Sequence, residues 1–287
     1  MLWFFLSVFA ALSIAARDVS IKTYDQLTPP EIAALELSWS LPLLLLGCFW
    51  VPLPELDPTF WWMFILSIPI NILAYILYLY AIKISPLSLT VPFLAFTPAF
   101  MVLTGFFVLG EKINVWGGLG IGFIVIGSYI LNFKKIRFGI LKPLTALLHE
   151  KGSWFMLIVA SLFAFAAVIG KKAMLHSSAL YFTYYFFLLF NILILSALLV
   201  SKQSSLKKII LNYRKGTWLG TLLIIHISCH GLAITLSTAV YMVAIKRSSI
   251  LFSVLMGWLI LKEEDIKYRG IGTILMFIGM LFISILG

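Results

Sequence analysis

The sequence predicts an all-α integral membrane protein with ten transmembrane helices, arranged as two inverted five-helix repeats. Three observations carry this prediction: the composition, the length of the apolar runs and a repeat within the chain. Of the 287 residues, 62% are hydrophobic and 11% are charged, and the mean hydropathy is +1.08. In soluble domains roughly a quarter of the residues are charged. This composition is therefore typical of a chain whose surroundings are mostly lipid.

Ten runs of predominantly apolar residues are each long enough to cross the hydrocarbon core as a helix, which takes about 20 residues. They are continuously apolar, whereas the strands of a membrane barrel alternate in polarity over about ten residues. We number these runs as spans one to ten: 2–21, 31–50, 60–82, 86–109, 114–133, 153–171, 179–200, 216–235, 238–261 and 267–286.

The net charge of +10 comes mostly from basic residues in short loops beside the spans. This distribution is an orientation signal, and it predicts no nucleic-acid partner. Loops that follow odd-numbered spans hold 16 of the lysine and arginine residues, and loops that follow even-numbered spans hold 3. The positive-inside rule then places both termini outside the cell.

The second half of the chain repeats the first, which is the most informative feature of the sequence. An offset of 152 residues aligns an alanine, four glycines and a glutamate with identical residues: Ala81 with Ala233, Gly105 with Gly257, Glu111 with Glu263, Gly118 with Gly270, Gly120 with Gly272 and Gly127 with Gly279. In span one, an offset of 151 aligns Trp3-Phe4 with Trp154-Phe155.

Each half contains five spans, an odd number, so the second half must enter the bilayer from the opposite side. We therefore predict a first repeat at 1–133, a basic linker at 134–152 and a second repeat at 153–287. Inverted repeats are the architecture of many secondary transporters, whose substrate site lies near the midplane where the halves meet.

Proline, glycine and acidic residues recur along spans four and five: Ser85-Pro86, Thr97-Pro98, Gly110-Glu111-Lys112, Gly118, Gly120 and Gly127. A second version runs from Ser249 to Leu255 and includes Glu263. These stretches resemble the repeat of the EamA family in the drug/metabolite transporter superfamily, and the resemblance covers nearly the whole chain. It implies ten helices, alternating access, no nucleotide hydrolysis and cytoplasmic termini, the last in conflict with the loop charges. It leaves the substrate open, because members carry amino acids, nucleosides, sugars and other metabolites.

The strongest candidate for a substrate site is Lys246-Arg247 in span nine. A helix that began after Arg247 would have 14 apolar residues before Lys262, too few to cross, so the pair must lie inside the span. An ionised side chain at this depth costs at least about 2.5 kcal/mol, and it is normally tolerated only beside a wet cavity or a partner. Adjacent helical residues point about 100° apart. We therefore expect at least one of the two to face the translocation path, where a carboxylate or phosphate would suit it, while the other could snorkel to a headgroup.

Other polar residues within the spans are candidates for substrate binding or coupling. Glu36 lies about 9 Å into span two and requires a partner or a raised pKa. It is either a proton-coupling acid, a counter-ion of the basic pair in span nine, or half of a structural ion pair with Arg17. The resemblance implies an arginine near this position, from which a glutamate departs. Arg17-Asp18 closes span one, where solvation at a helix end is favoured over a coupling role.

His226 and His230 are four residues apart in span eight and share one helix face. We favour a hydrogen-bonded polar face, with a proton relay as the alternative. Because no acid or cysteine lies nearby to complete a metal site, no metal and no cofactor are predicted. The remaining substrate-binding candidates, as polar residues or cavity walls, are Trp39, Tyr78, Thr97 and Ser249.

Residues that match between the halves are predicted to be structural. Glu111 and Glu263 follow spans four and nine, and their carboxylates are expected to cap the N-terminus of the following helix. Gly118 and Gly270, with the matched glycines two residues later, allow spans five and ten to approach a neighbouring helix closely.

Pro92 and Pro98 are each expected to remove a backbone hydrogen bond from span four and to leave a carbonyl free inside the bundle. Such kinks are either hinges or packing features. The sequence leaves both interpretations open.

These features predict a multi-pass protein of the cell (plasma or inner) membrane. The predicted function is secondary active transport of a small polar metabolite, which is anionic in one version of the prediction. The alternative is a flippase for a lipid-linked phosphate or sugar, which would require a lateral opening between helices. No Gly-x-Ser-x-Gly elbow, His-Glu-x-x-His motif or intramembrane pair of aspartates occurs, so an enzyme is not expected. The expected partners are the substrate, the bilayer and a proton or other coupling ion, in a monomer or homodimer.

Overall fold

The computed structural model describes residues 1–85, 87–130, 151–261 and 269–286, and the regular structure in these ranges is helical. The helices are α1 (Leu2–Thr23), α2 (Pro29–Trp50), α3 (Pro58–Ile84), α4 (Leu87–Thr90), a 3₁₀ helix (Val91–Ala95), α5 (Phe96–Leu109), α6 (Val115–Ile130), α7 (Lys151–Leu175), α8 (Ala179–Val200), α9 (Leu206–Leu211), α10 (Tyr213–Thr235), α11 (Ala239–Lys246), α12 (Ser249–Leu261) and α13 (Arg269–Leu281), followed by a π-helical turn (Phe282–Leu286).

Seven helical stretches of the described residues are long and apolar enough to cross a membrane: α1, α2, α3, α7, α8, α10 and Ala239–Ile260, which combines α11 with most of α12. They correspond to spans one to three and six to nine. Phe93–Leu109 and Val115–Gly127 are shorter apolar helices in spans four and five. The all-helical membrane architecture is thus confirmed, and the count of ten spans stays a prediction. Of the predicted basic linker, residues 134–150 lie outside the described residues, and Lys151 already begins α7.

Local sequence signals set the ends of the helices that carry the polar groups. At the start of α2, Glu31 Oε2 accepts a hydrogen bond from the Thr28 N–H at 2.9 Å. At the start of α3, Asp57 Oδ1 accepts one from the Phe60 N–H at 2.8 Å. Gly110 ends α5 with φ 68°, a left-handed conformation that favours glycine. These caps satisfy backbone groups that helix termini leave without partners.

Spans four and nine are both interrupted near the middle. In span four, the 3₁₀ helix Val91–Ala95 separates α4 from α5. In span nine, α11 ends at Lys246 and α12 begins at Ser249. With the offset of 152, Val91–Ala95 falls on residues 243–247, so the two interruptions overlap in the repeat at one aligned pair, Ala95 and Arg247. Discontinuous helices at corresponding positions of two halves are typical of transporter binding sites.

Pro92 and Pro98, two of the three prolines of span four, occupy different positions. Pro92 lies within the interrupted segment Val91–Ala95, as expected for a residue that lacks a backbone N–H. Pro98 lies in the first turn of α5, where helical N–H groups have no acceptor in their own helix. The helix that begins just before Pro98 therefore continues through it.

The helix contacts follow the repeat. α3 packs against α7, and α1 packs against α10; α5 contacts α7, and α12 contacts α1. The remaining matched contacts are α2 with α8 and α6 with α13. When each helix is replaced by its counterpart in the other half, the first four contacts exchange in pairs and the last two map onto themselves. The main helix contacts therefore run between the halves.

α6 and α13 cross closely at four glycines. A Cβ atom on Gly120 would lie 2.7 Å from the backbone oxygen of Gly279. A Cβ atom on Gly127 would lie 2.6 Å from the backbone oxygen of Gly272. The contacts run in opposite order along the two helices, so the helices are antiparallel at the crossing, and each contact is the repeat image of the other.

The prediction for Gly118 is wrong. Among the described residues, a Cβ atom on Gly118 would meet Ile113 of its own segment at 3.8 Å and no neighbouring helix. Residues two apart on a helix point about 200° apart, so Gly118 faces away from the side that carries Gly120. Gly127, seven residues after Gly120, shares its face and forms the second contact. Gly270 lies in the first turn of α13.

Candidate functional site

A cavity of about 170 Å³ lies between the halves and is lined by residues from eight spans. Its cationic side chains are Arg17 from α1 and Lys246 and Arg247 from span nine. His226 and His230 of α10 also line it. The cavity is therefore a polar centre enclosed by apolar helices, which is the usual form of a ligand site.

Aromatic rings form one wall of the cavity. Phe182, Phe186 and Phe190 are spaced four residues apart, so they lie along one face of α8. The rings of Phe182 and Phe186 stack with centroids 5.0 Å apart and an interplanar angle of 11°. Phe163 and Tyr75 add rings from α7 and α3. This wall is apolar and offers ring faces and edges to a ligand.

Arg17 is the centre of a buried ion-pair network. Its Nε donates to Glu36 Oε1, and its Nη2 donates to Glu36 Oε2 at 2.7 Å, a bidentate geometry. Tyr75 Oη donates to Glu36 Oε2 at 2.6 Å. Tyr78 Oη donates to Asp18 Oδ1 at 2.6 Å, and Asp18 Oδ1 lies 3.7 Å from Arg17 Nη1. Arg17 therefore has two carboxylate neighbours within the protein, and the network holds one positive and two negative side chains.

One expectation about this network is wrong, and one set of alternatives is decided. Arg17 and Asp18 do not close the first helix, because α1 continues to Thr23 and both side chains are buried. Of the alternatives for Glu36, the ion pair with Arg17 is the one that forms, and Glu36 is not the counter-ion of Lys246 or Arg247. Burial at this depth is possible because the carboxylates and the tyrosine hydroxyls satisfy one another, so solvation at a helix end is not needed.

Lys246 and Arg247 both line the cavity, as expected for at least one of them, and neither extends to the lipid surface: the two residues are 9% and 3% exposed. Lys246 Nζ lies 3.0 Å from His230 Nδ1. Arg247 Nη2 donates to Thr97 Oγ1 at 2.8 Å, and Arg247 Nε is buried without a hydrogen-bond partner. The two side chains thus contact α10 and α5 respectively, on different sides of the cavity.

The basic pair of span nine differs from Arg17 in its partners. Within the described ranges, no carboxylate lies within ion-pairing distance of Lys246 or Arg247. Their contacts are a histidine ring and a hydroxyl, which are weak substitutes for water around a full charge. The cavity therefore carries positive charge that the folded chain compensates incompletely.

The two histidines share one face, as expected for residues four apart. The centroids of His226 and His230 are 5.9 Å apart, and both rings line the cavity. His226 Nδ1 is buried without a partner. His230 contacts Lys246, whereas His226 keeps one ring nitrogen without a hydrogen-bond partner.

Of the other substrate-binding candidates, one lines the cavity and three do not. Tyr78 lines it, and Thr97 lies behind Arg247, from which it accepts a hydrogen bond. Trp39 Nε1 instead donates to the Ile209 carbonyl at 3.3 Å and fastens α2 to α9. Ser249 is buried but is not a lining residue. For helices that are apolar on all sides, sequence spacing does not reveal which face points inward.

Glu111 caps a helix of the other half. Its Oε1 and Oε2 accept hydrogen bonds from the Ala239 N–H, at 3.0 and 2.9 Å, at the start of α11. Lys171 Nζ of α7 donates to Glu111 Oε1 at 2.6 Å. The expectation that Glu111 caps the following helix, α6, is therefore wrong: Asn114 Oδ1 accepts from the Gly117 N–H there, at 2.7 Å. Glu263 lies outside the described residues.

Several lining residues were not among the sequence-predicted site residues. Asn71, Tyr75 and Thr183 line the cavity, and nothing in the sequence distinguishes them from other residues of their spans. The four-residue spacing of Phe182, Phe186 and Phe190 was visible in the sequence. However, most faces of these spans carry large apolar residues, so the spacing alone does not identify the wall.

A comparison with known families finds a match in the first half of the chain. Residues 1–133 match the EamA-like transporter family. This match confirms, over the first half of the chain, the resemblance drawn from the repeat motifs. The EamA family belongs to the drug/metabolite transporter superfamily, and its members are generally not enzymes. The match therefore indicates a multi-pass membrane transporter of this type.

The comparison with solved structures extends the fold to the second half. One crystal structure superposes with a TM-score of 0.71, covering 99% of this chain and 96% of that chain, at 13% sequence identity. At this identity the similarity concerns the fold alone. No curated protein matches the chain in sequence.

Proposed function

We propose that the chain is a secondary active transporter that moves a small anionic metabolite across the cell membrane by alternating access. One observation carries this proposal: Lys246 and Arg247 line a cavity between the halves, and neither has a carboxylate partner among the described residues. A buried cation without a counter-ion is destabilising, so it is kept where a ligand supplies the missing charge.

The interrupted spans support the position of the site. Lys246 ends α11, and Arg247 lies between α11 and α12, beside the cavity. Val91–Ala95, whose last residue aligns with Arg247, interrupts the matching span of the first half. Backbone that leaves helical geometry at membrane depth is tolerated where it is buried or lines a cavity, and such segments bind substrate in transporters.

The glycine crossing supports the inverted arrangement. Gly120 contacts Gly279, and Gly127 contacts Gly272, in an antiparallel pair of helices related by the repeat. Only a two-fold axis perpendicular to both helices exchanges such contacts. Two five-span repeats, at 1–133 and 153–287, that exchange about an axis in the membrane plane would open the cavity to each side in turn.

A proton or another ion is the proposed coupling partner. His226 lines the cavity beside the His230–Lys246 contact. Its ring is therefore placed to gain or lose a proton as substrate enters or leaves the site. Glu36, Arg17 and Asp18 form the second group of ionisable side chains next to the cavity. In this proposal they respond to the charge of the substrate without contacting it.

The test begins with ligand binding to the purified full chain. Monocarboxylates, phosphate and sugar phosphates are compared with their uncharged amides or alcohols by thermal shift, because a ligand of the folded state raises apparent stability. The strongest binder is then followed by counterflow in proteoliposomes. We expect anions to stabilise the chain and to exchange, and their neutral counterparts to do neither.

Lys246→Met and Arg247→Met are expected to reduce counterflow at least about tenfold, a loss of roughly 1.4 kcal/mol in transition-state stabilisation. Lys172→Met is the matched control, because Lys172 lies at the end of α7 and reaches only the Val108 carbonyl, at 3.4 Å. Wild-type counterflow in both cavity variants, or equal binding of anions and neutral counterparts, would overturn the proposal.

A further inference from the structure

The size of the cavity limits the substrate. An apolar cavity of about 150 Å³ in a protein core holds one benzene molecule. The present cavity, of about 170 Å³, therefore has room for one six-membered ring with a short polar arm.

The walls of the cavity favour an apolar, aromatic body. Phe182, Phe186, Phe187 and Phe190 of α8 and Phe163 of α7 line it. Around them, aromatic rings already meet edge to face, as between Phe187 and Phe190, with centroids 5.7 Å apart. A ligand ring would complete the same contacts, which are worth more for an aromatic ring than for a saturated one of the same size. A sugar would leave its hydroxyls against these rings without hydrogen bonds.

The charges at the cavity favour a single negative charge. Arg17, Lys246 and Arg247 supply three positive charges, and Asp18 and Glu36 supply two negative ones. With neutral histidines, one positive charge remains in excess. A monoanion neutralises the site, whereas a dianion replaces an excess positive charge by an excess negative one.

The same arrangement excludes an ammonium group. Glu36 accepts two bonds from Arg17 and one from Tyr75, and Asp18 accepts from Tyr78. Neither carboxylate is a lining residue in the described part of the chain. An ammonium group in the cavity would meet cations and rings, because the one carboxylate oxygen left without a partner, Asp18 Oδ2, belongs to a residue that does not line the cavity.

We infer that the substrate is a small aromatic monocarboxylate without an ammonium group, of about the size of phenylacetate. This inference rests on the proposed function, because it specifies which anion the transporter accepts. The carboxylate lies between Lys246 and Arg247, and the ring lies against the phenylalanines of α8.

The experiment compares four matched probes with phenylacetate as ligands of the purified full chain, by titrated thermal shift. Phenylacetamide lacks the charge, phenylglycine adds an ammonium group, cyclohexylacetate replaces the aromatic ring, and a hexose phosphate carries a polar body. We expect phenylacetamide and phenylglycine to bind at least about thirtyfold more weakly than phenylacetate, because each leaves buried charge without a partner. Cyclohexylacetate is expected to bind about two- to tenfold more weakly.

Phe187→Leu tests the ring wall without removing the charges. Phe187 is only half-buried, so the exchange is expected to be tolerated in the fold. It should abolish the preference for phenylacetate over cyclohexylacetate. Phe107→Leu, at an 80% exposed position of α5, is the matched control and should keep the preference.

The outcomes separate this inference from the proposed function. Stronger binding of the hexose phosphate, or equal binding of phenylglycine or cyclohexylacetate, overturns the substrate class and leaves anion transport standing. An absence of any shift with phenylacetate also overturns the class, and the wider anion screen then tests the function alone. Equal binding of phenylacetamide and phenylacetate overturns both.

Discussion

Two groups of buried cations border the same cavity and differ in their partners. Arg17 is held by both oxygens of Glu36 and lies near Asp18, in a network that two tyrosines complete. Lys246 and Arg247 contact a histidine and a threonine. The cation of the first group has carboxylate partners, while the cations of the second group have none among the described residues. The difference indicates that Arg17 stabilises the fold and that Lys246 and Arg247 are available to a ligand.

The comparison has an energetic consequence. Removing one partner of a buried ion pair leaves the other charge uncompensated, and this is strongly destabilising. Removing a buried charge that had no counter-ion relieves an existing cost. Substitutions in the two groups should therefore change stability in opposite directions, although both groups carry the same sign of charge.

The largest effect is expected for Arg17→Met. The substitution leaves Glu36 buried beside Asp18 with no cation, so the free energy of unfolding should fall by about 3–5 kcal/mol. The melting temperature in detergent measures this. Lys172→Met serves as the control. A melting temperature of Arg17→Met equal to that of the control would remove the distinction between the two groups.

Lys246→Met should act in the opposite direction, because a methionine of similar length fills the same space without a charge. The free energy of unfolding should stay constant or rise. Replacing a buried ion pair by apolar side chains raises it by about 1–4 kcal/mol, which sets the upper limit. The same melting assay measures it, without ligand. A loss comparable to that of Arg17→Met would mean that the chain already compensates Lys246.

This contrast could be predicted from the sequence only in part. The depth of Lys246-Arg247 in span nine follows from counting apolar residues, and the structure places both at the cavity. The need of Glu36 for a partner also follows from its depth. Which cation it meets depends on how α1 and α2 pack, and sequence spacing carries no information about that.

The wrong expectations share a physical cause. Arg17 and Asp18 resemble a helix end because charges usually mark one, and their buried partners come from α2 and α3. Glu111 was expected to serve the next helix in the chain, whereas it caps α11 of the other half. Local reasoning finds helices and caps, but a duplicated bundle satisfies its polar groups across the halves.

Tyr78→Phe tests the edge of the first group with a smaller change. It removes the donor to Asp18 Oδ1, whose partner atom Oδ2 is already buried without a hydrogen bond. A buried acceptor that loses its partner costs about 1–3 kcal/mol, so the melting temperature should fall, but less than for Arg17→Met. Tyr80→Phe, at a 40% exposed position of α3, is the control. An equal melting temperature in both variants would place Asp18 outside the network.

The smallest effect is expected for an ion pair outside the membrane, between Asp57 and His176 at 2.6 Å. The hydrogen bond from the Phe60 N–H, together with His176, lowers the pKa of Asp57. Since the folded state then favours the ionised form, the stabilisation is present above the ordinary aspartate pKa of about 3.9 and is lost as the pH falls through the lower folded value.

Asp57→Asn keeps a good helix cap but removes the charge. Its melting temperature should lie slightly below that of the parent chain at pH 7, and the gap should close on acidification. A gap that widened in acid would show that the charge of Asp57 opposes folding. Solvent exposure would then not explain why this pair stabilises the fold less than the buried pair of Arg17 and Glu36.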